Sequence, residues 1–195
     1  MIFTPTIRKA IVFSIKTHEV YQKQKRKGKD IAYITHPLTV GLILARANAN
    51  EDVIVAGILH DTIEDSIDKK KVTRVMLAER FGKNVADLVD GVTEQRKELE
   101  WEKRKREALE HIKIFSHNSL LVKSADVISN VSEILADHKK EGPKTFLRFN
   151  APKDKVVQHY MEAMETILGR WPTNPFADDL NVLIAALKDI EVDLI

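Results

Sequence analysis

The side chains best suited to chemistry crowd into Leu59-His60-Asp61-Thr62-Ile63-Glu64-Asp65, where a histidine and an aspartate are followed at helical spacing by two further acids. An imidazole beside a carboxylate can ligate a divalent cation, and a neighbouring acid pair can orient water and take its proton. The apolar run Val53-Ile54-Val55-Ala56-Gly57-Ile58-Leu59 leads straight into the motif. Such a run carries these charged groups towards a buried setting, where they are costly unless opposite charge compensates them. A divalent metal would do so, and the chemistry implied is metal-dependent hydrolysis.

A cation draws its ligands from several parts of a chain. His36 stands just before Pro37 in Tyr33-Ile34-Thr35-His36-Pro37, on a turn that the proline stiffens. Asp126 interrupts the apolar stretch Leu120-Leu121-Val122-Lys123-Ser124-Ala125-Asp126-Val127-Ile128, and Asn130, four residues on, shares its helix face. Each position alone has a plainer reading: a hydrogen-bonded core histidine, a polar pair between packed helices, a helix end with solvated acids. Together His36, His60, Asp61 and Asp126 favour one metal site.

The elements that must position them read as helices throughout, with no strand-like alternation. Thr6 is expected to cap a first helix through Ile7, Ala10, Ile11 and Ile15, which runs out in the basic segment Lys23–Lys29, where five of seven residues are basic. Pro37 is expected to open a helix to about Arg46, and Asn50, followed by Glu51 and Asp52, to begin the helix that delivers His60 and Asp61. Val72–Phe81 reads as a short helix closed by Gly82, with Asn84 capping the next. The charged segment from Glu94 to Glu110 reads as an exposed helix or connection anchored by Trp101. Further helices are expected at 118–138, 153–170 and 176–190, parted by Gly142-Pro143 and Trp171-Pro172. The expected class is all-α, with residues 1–195 forming a single domain.

Composition agrees. The chain is 44% hydrophobic and 31% charged, with net charge +2 and no cysteine. That suits a globular protein, offers no overall field for nucleic acid or membrane surfaces, and excludes thiolate metal sites, disulfides and thiol catalysis. No signal-peptide core or membrane-length apolar run is visible, so a cytoplasmic setting is expected.

His36, His60-Asp61 and Asp126 resemble the H…HD…D pattern of the HD-domain metal-dependent phosphohydrolases. More narrowly, Tyr33–Pro37, Leu59–Asp65, Leu88-Val89-Asp90-Gly91-Val92-Thr93 and Lys123-Ser124-Ala125-Asp126 with Asn130 resemble the hydrolase domain of the RelA/SpoT alarmone enzymes. The resemblance covers about residues 8–170, and its layout is similar to that of the small stand-alone alarmone hydrolases. It implies a helical HD fold holding Mn²⁺ through His36, His60, Asp61 and Asp126. It implies hydrolysis of guanosine 3′-diphosphate 5′-di- or triphosphate at the 3′ position with release of pyrophosphate. Glu64 and Asp65 are then catalytic acids, and Asn130 hydrogen-bonds the water or a phosphate oxygen. Family members carry an Arg-Lys pair near the basic run, which assigns Arg26 and Lys27 to substrate, the arginine stacking on the base. Lys123 is a further family position for substrate contact. Lys69–Lys71 and Lys103–Arg106 read as plain surface, and His18, His111, His117, His138 and His159 fit no ligand pattern.

Three mismatches set the chain apart from the family. Ala32 replaces a usual proline, Val127-Ile128 replace a basic residue and a leucine, and Ser129 replaces a His or Tyr before Asn130. The metal and acid positions are intact, whereas the departures touch the substrate side. An adenosine 3′-diphosphate alarmone, NADPH, another nucleotide, or a catalytically silent nucleotide-binding role therefore stay open.

Overall fold

The computed structural model describes residues 3–94 and 98–192. Among them the fold is all-α as expected, with no strand and one isolated antiparallel bridge, Lys25 to Ala32. Helix α1 (Pro5–Ile15) is capped by Thr4, whose hydroxyl accepts from Ile7 N at 3.2 Å. Thr6 is not the cap, because Pro5 takes the first helical position, where its fixed φ and missing N–H suit it. The chain then widens into a π-type turn, Lys16–Val20.

Helix α2 (Thr35–Arg46) starts before Pro37, which lies in the first turn where no intrahelical donor is lost. Asn50 caps α3 (Glu51–Leu59) as its sequence predicts, accepting from Val53 N at 3.0 Å. One turn, α4 (Thr62–Asp65), follows. Helix α5 (Arg74–Phe81) begins after Thr73, its cap, and ends at Gly82, whose φ of 90° favours glycine. Gly82 also leads into α6 (Lys83–Val92). Asn84 is therefore inside that helix and donates to Asp52 at 3.1 Å rather than capping.

The charged segment forms α7 (Trp101–Ile112), with residues 95–97 outside those described. Trp101 is half-buried and meets the His159 ring edge-on at 6.0 Å. The chain closes with α8 (His117–Glu141), a 3₁₀ segment (Gly142–Arg148), α9 (Lys153–Arg170) and α10 (Ala177–Val192).

Every residue from Val53 to Leu59 in α3 is buried. The helix packs against α1, α2, α6 and α8, which is why its apolar residues show no amphipathic stripe. Two glycines let α2 and α3 close on each other. A Cβ on Gly57 would lie 2.3 Å from Leu44 Cδ1, and one on Gly41 2.6 Å from Ile58 Cγ1. Helix α8, about 38 Å long at 1.5 Å per residue, lies against both α2 and α3. These three helices carry the candidate ligands, so the site is fixed by the best-packed part of the core. Among the described residues, no helix is long and apolar enough to cross a membrane.

Candidate metal centre

The break between α3 and α4 presents the His60-Asp61 pair. Thr62 Oγ1 donates to Leu59 O at 2.6 Å, closing the corner, and His60 Nδ1–H donates to Gly57 O at 2.8 Å. A carbonyl can only accept, so Nδ1 carries a proton and Nε2 is the nitrogen turned towards a ligand. In the first turn of α2, His36 Nδ1 is likewise engaged, by Ser129 Oγ at 2.9 Å. Both rings are held from behind.

Their Nε2 atoms meet the two carboxylates. His36, His60 and Asp126 each offer a ligand atom within 4.8 Å of one another. Asp61 Oδ2 lies 3.0 Å from His60 Nε2 and 3.7 Å from His36 Nε2, and Asp126 Oδ1 lies 3.3 Å from His36 Nε2 and 3.8 Å from His60 Nε2. Ligands about 2.1 Å from a cation sit about 3 Å apart when adjacent and about 4 Å apart when opposite. The observed separations fall in that range. His60 Nε2 is buried yet makes no aligned hydrogen bond, an orphan that a cation would satisfy.

Electrostatics point the same way. Burial opposes charge on His60, but Asp61 and Asp126 outweigh it and push its pKa up to about 9. On Asp61 and Asp126 burial works to raise the pKa, yet the net shift is downward. His60 is the largest opposing influence on Asp61, and Lys123 on Asp126. Burial holds the His36 pKa below its ordinary value. The cluster thus draws positive charge into a buried space, and the donors present fit a divalent cation of mixed nitrogen and oxygen preference.

Around the cluster runs a second set of contacts. Tyr33 Oη donates to Asp61 Oδ2 at 2.5 Å. Asp126 accepts from Lys123 Nζ at 2.8 Å and from Asn130 Nδ2 at 2.7 Å. Asn130 Oδ1 in turn accepts from Arg26 Nη2 at 2.7 Å, so Asn130 links a candidate ligand to the basic run. Arg26 also donates to Glu133 through Nε at 2.8 Å and lies over the Tyr33 ring at 5.5 Å. Burial opposes its charge, but Glu133 outweighs this and its pKa is raised. The guanidinium expected to stack on a base is thus set among protein partners.

A cavity of about 170 Å³ holds His36, His60, Asp61, Glu64, Lys123, Asp126 and Asn130 in its wall. Glu64 is among its lining residues and Asp65 is not. The acid pair is divided: Glu64 accepts from Glu94 N at 3.3 Å, whereas Asp65 accepts from Gln24 Nε2 at 2.9 Å. A neighbouring cavity of about 360 Å³, lined by Arg26, Lys27, Arg148 and Phe149, shares Tyr33, Asn130 and Tyr160 with the first.

Arg104 and Lys105 of α7, which read as plain surface, also line the metal cavity, where Glu94 pairs with them at 3.1 and 2.6 Å. Burial, then Arg104 and Lys105, lowers the Lys27 pKa. Burial together with Lys105 and Lys123 drives His159 down to about 3. Against burial, which opposes its charge, Asp126 and Glu94 in contrast raise the Lys123 pKa, so cations and acids are interleaved along this wall. No motif marked Arg104 and Lys105, but they lie three and four residues after Trp101 on the face of α7 that docks on α9, which brings them to the cavity.

The sequence profile of the HD domain matches residues 10–149. A Myxococcus xanthus protein named GTP pyrophosphokinase is 39% identical over 69% of the chain, which spans 18% of that relative's length. A Xenopus tropicalis protein named guanosine-3′,5′-bis(diphosphate) 3′-pyrophosphohydrolase MESH1 is 33% identical over 80% of the chain and 81% of its own length. The solved structure of a metazoan SpoT ortholog, described as hydrolysing ppGpp, superposes with a TM-score of 0.72 at 22% identity, covering 98% of this chain and 96% of its own. At that identity the likeness speaks for the fold.

Proposed function

Because this chain belongs to the HD-domain family, we propose that it is a divalent-metal-dependent 3′-pyrophosphohydrolase of guanosine 3′,5′-bis(diphosphate). The observation that carries the proposal is the convergence of the buried His36 and His60 with the half-buried Asp61 and Asp126 at the wall of a cavity that Arg104, Lys105 and Lys123 also line. A hydrolase acting on a polyanion needs both. The four residues would hold Mn²⁺, which suits two imidazoles with two carboxylates. When bound, such an ion acidifies water and offsets phosphoryl charge.

The remaining steps belong to the chain. Glu64, in the cavity wall, takes the proton of the attacking water, and Asp65, outside that wall and held by Gln24, is the second acid beside it. Tyr33 holds Asp61 and Asn130 holds Asp126, so both carboxylates are oriented before substrate arrives. The 3′-diphosphate meets Arg104, Lys105 and Lys123, which exchange their carboxylate partners for phosphate oxygens. Lys27, Arg148 and Phe149 in the adjoining cavity offer a cationic, aromatic place for the rest of the nucleotide. Arg26, tied to Asn130 and Glu133, braces the wall between the two cavities.

Incubation of the Mn²⁺-loaded protein with guanosine 3′,5′-bis(diphosphate), followed by ³¹P NMR, should show pyrophosphate and GDP in equal amounts. Orthophosphate as the first product would refute the reaction type, and turnover of other nucleotides alone would refute the substrate.

A further inference from the structure

Behind the acid pair, a chain of side chains that the reaction scheme leaves unused starts from a buried histidine. His18 is fully buried in the π-type turn after α1, and its Nδ1 lies 2.8 Å from Gln24 Oε1. An amide oxygen can only accept, so His18 carries its proton on Nδ1 and donates. This leaves the Gln24 amide nitrogen facing away, where it donates to Asp65 Oδ2 at 2.9 Å. The opposite amide orientation would set Oε1 against a carboxylate and leave the His18 donor facing N–H groups. The carboxylate can only accept, so it sets which way the amide points; the amide oxygen then places the His18 proton on Nδ1, and the paired amide is one of the contacts that hold Asp65.

The backbone is shaped around this contact. Gln24 N donates to His18 O at 2.9 Å, and Tyr33 N donates to Gln24 O at 2.9 Å, so Gln24 is pinned on both sides. The preceding residue, Lys23, adopts a φ of 50°, a left-handed conformation that is unfavourable for a non-glycine residue. The wide turn at Lys16–Val20 is a feature concentrated at functional sites. The His18 ring also packs on Tyr33 at 5.0 Å, and Tyr33 holds Asp61. His18 thus stands behind both carboxylates at once, through Gln24 for Asp65 and through Tyr33 for Asp61.

We propose that His18 and Gln24 are positioning residues: a relay from a buried imidazole through a half-buried amide that orients Asp65 for the hydrolytic step. The proposal rests on the function assigned above. It separates proton donation from packing, because asparagine can supply its amide nitrogen near the place of Nδ1, whereas glutamine places its own near Nε2.

The test compares steady-state kinetics of His18→Asn, His18→Gln and Gln24→Ala in the Mn²⁺-loaded protein. Loss of an orienting partner of this kind lowers activity about 10- to 100-fold, so His18→Gln and Gln24→Ala should lose that much kcat with KM within about threefold, while His18→Asn stays within about threefold of wild type. Equal kcat for His18→Asn and His18→Gln, or wild-type kcat for Gln24→Ala, overturns the relay. Gln24 is only half-buried, so its variant tests the relay even where a His18 replacement fails to fold. A second readout does not need turnover: the ¹⁵N-bound side-chain amide protons of Gln24 should exchange slowly in wild type and His18→Asn and quickly in His18→Gln. Fast exchange in wild type overturns the relay. A wild-type protein inert towards the guanosine nucleotide but with a protected Gln24 amide would instead overturn the assigned function and keep the relay's geometry.

Discussion

Replacing Ser129 by alanine removes one hydroxyl that touches no substrate and sits behind a candidate ligand. Ser129 Oγ is 2.9 Å from His36 Nδ1, with both residues buried, and it is the partner that fixes which His36 nitrogen faces the carboxylates. Partners of metal-bound histidines are worth about 10- to 100-fold in affinity, or about 1.4–2.7 kcal/mol. Without metal, the variant leaves a buried ring nitrogen without its partner, which costs about 1–3 kcal/mol. For a chain of this size that corresponds to a fall of about 3–8 °C in Tm. Titration calorimetry with Mn²⁺ should show the weakened affinity, and kcat at saturating Mn²⁺ should change by less than about threefold, because the ligand set is intact. Unchanged Mn²⁺ affinity would refute the reasoning, since His36 would then owe neither its tautomer nor its aim to Ser129.

Other perturbations reach different parts of the account. Gly57→Ala should destabilise by about 1–3 kcal/mol, read as a lower Tm, because its Cβ would press on Leu44 across the α2–α3 contact; a raised Tm would contradict that close packing. Stability of the metal-free protein should depend on His60: its folded pKa is raised to about 9, so its contribution is full below the unfolded value near 6.5 and is lost as pH rises through 9. Mn²⁺ binding between those limits should release a proton, and calorimetry in buffers of different ionisation enthalpy measures it. Arg104→Ala and Lys105→Ala should each raise KM for the guanosine nucleotide about tenfold and flatten its salt dependence; unchanged KM would return both to plain surface.

Much of the site is legible in the chain because its signals are local. His60-Asp61 ends an unbroken apolar helix, His36 precedes a proline, and Asp126 with Asn130 keeps four-residue spacing on an apolar helix. Packing alone brings those segments together, yet their residue types announce the chemistry. What stays hidden is non-local or depends on unusual backbone. The wide turn after α1 has no periodic signature, so His18 cannot be paired with Gln24 by counting residues. Arg104 and Lys105, by contrast, follow Trp101 by three and four residues, on the helix face that also carries Ala108, Leu109 and Ile112, so their inward position is legible in that spacing once Trp101 is taken as the anchor. The division of Glu64 from Asp65 follows from the single turn of α4, in which adjacent residues cannot face the same way. Thr4 replaces Thr6 as a cap for a reason the sequence does contain, the proline between them.

The central claim is that His36, His60, Asp61 and Asp126 jointly hold one divalent cation. Pulsed EPR of the Mn²⁺-loaded protein measures it directly by counting the imidazole nitrogens bound to the ion. The account predicts one ion per chain coupled to two ¹⁴N nuclei, with His36→Ala and His60→Ala each removing one coupling or the ion itself. An ion showing no nitrogen coupling, or one bound equally well in both variants, would contradict it.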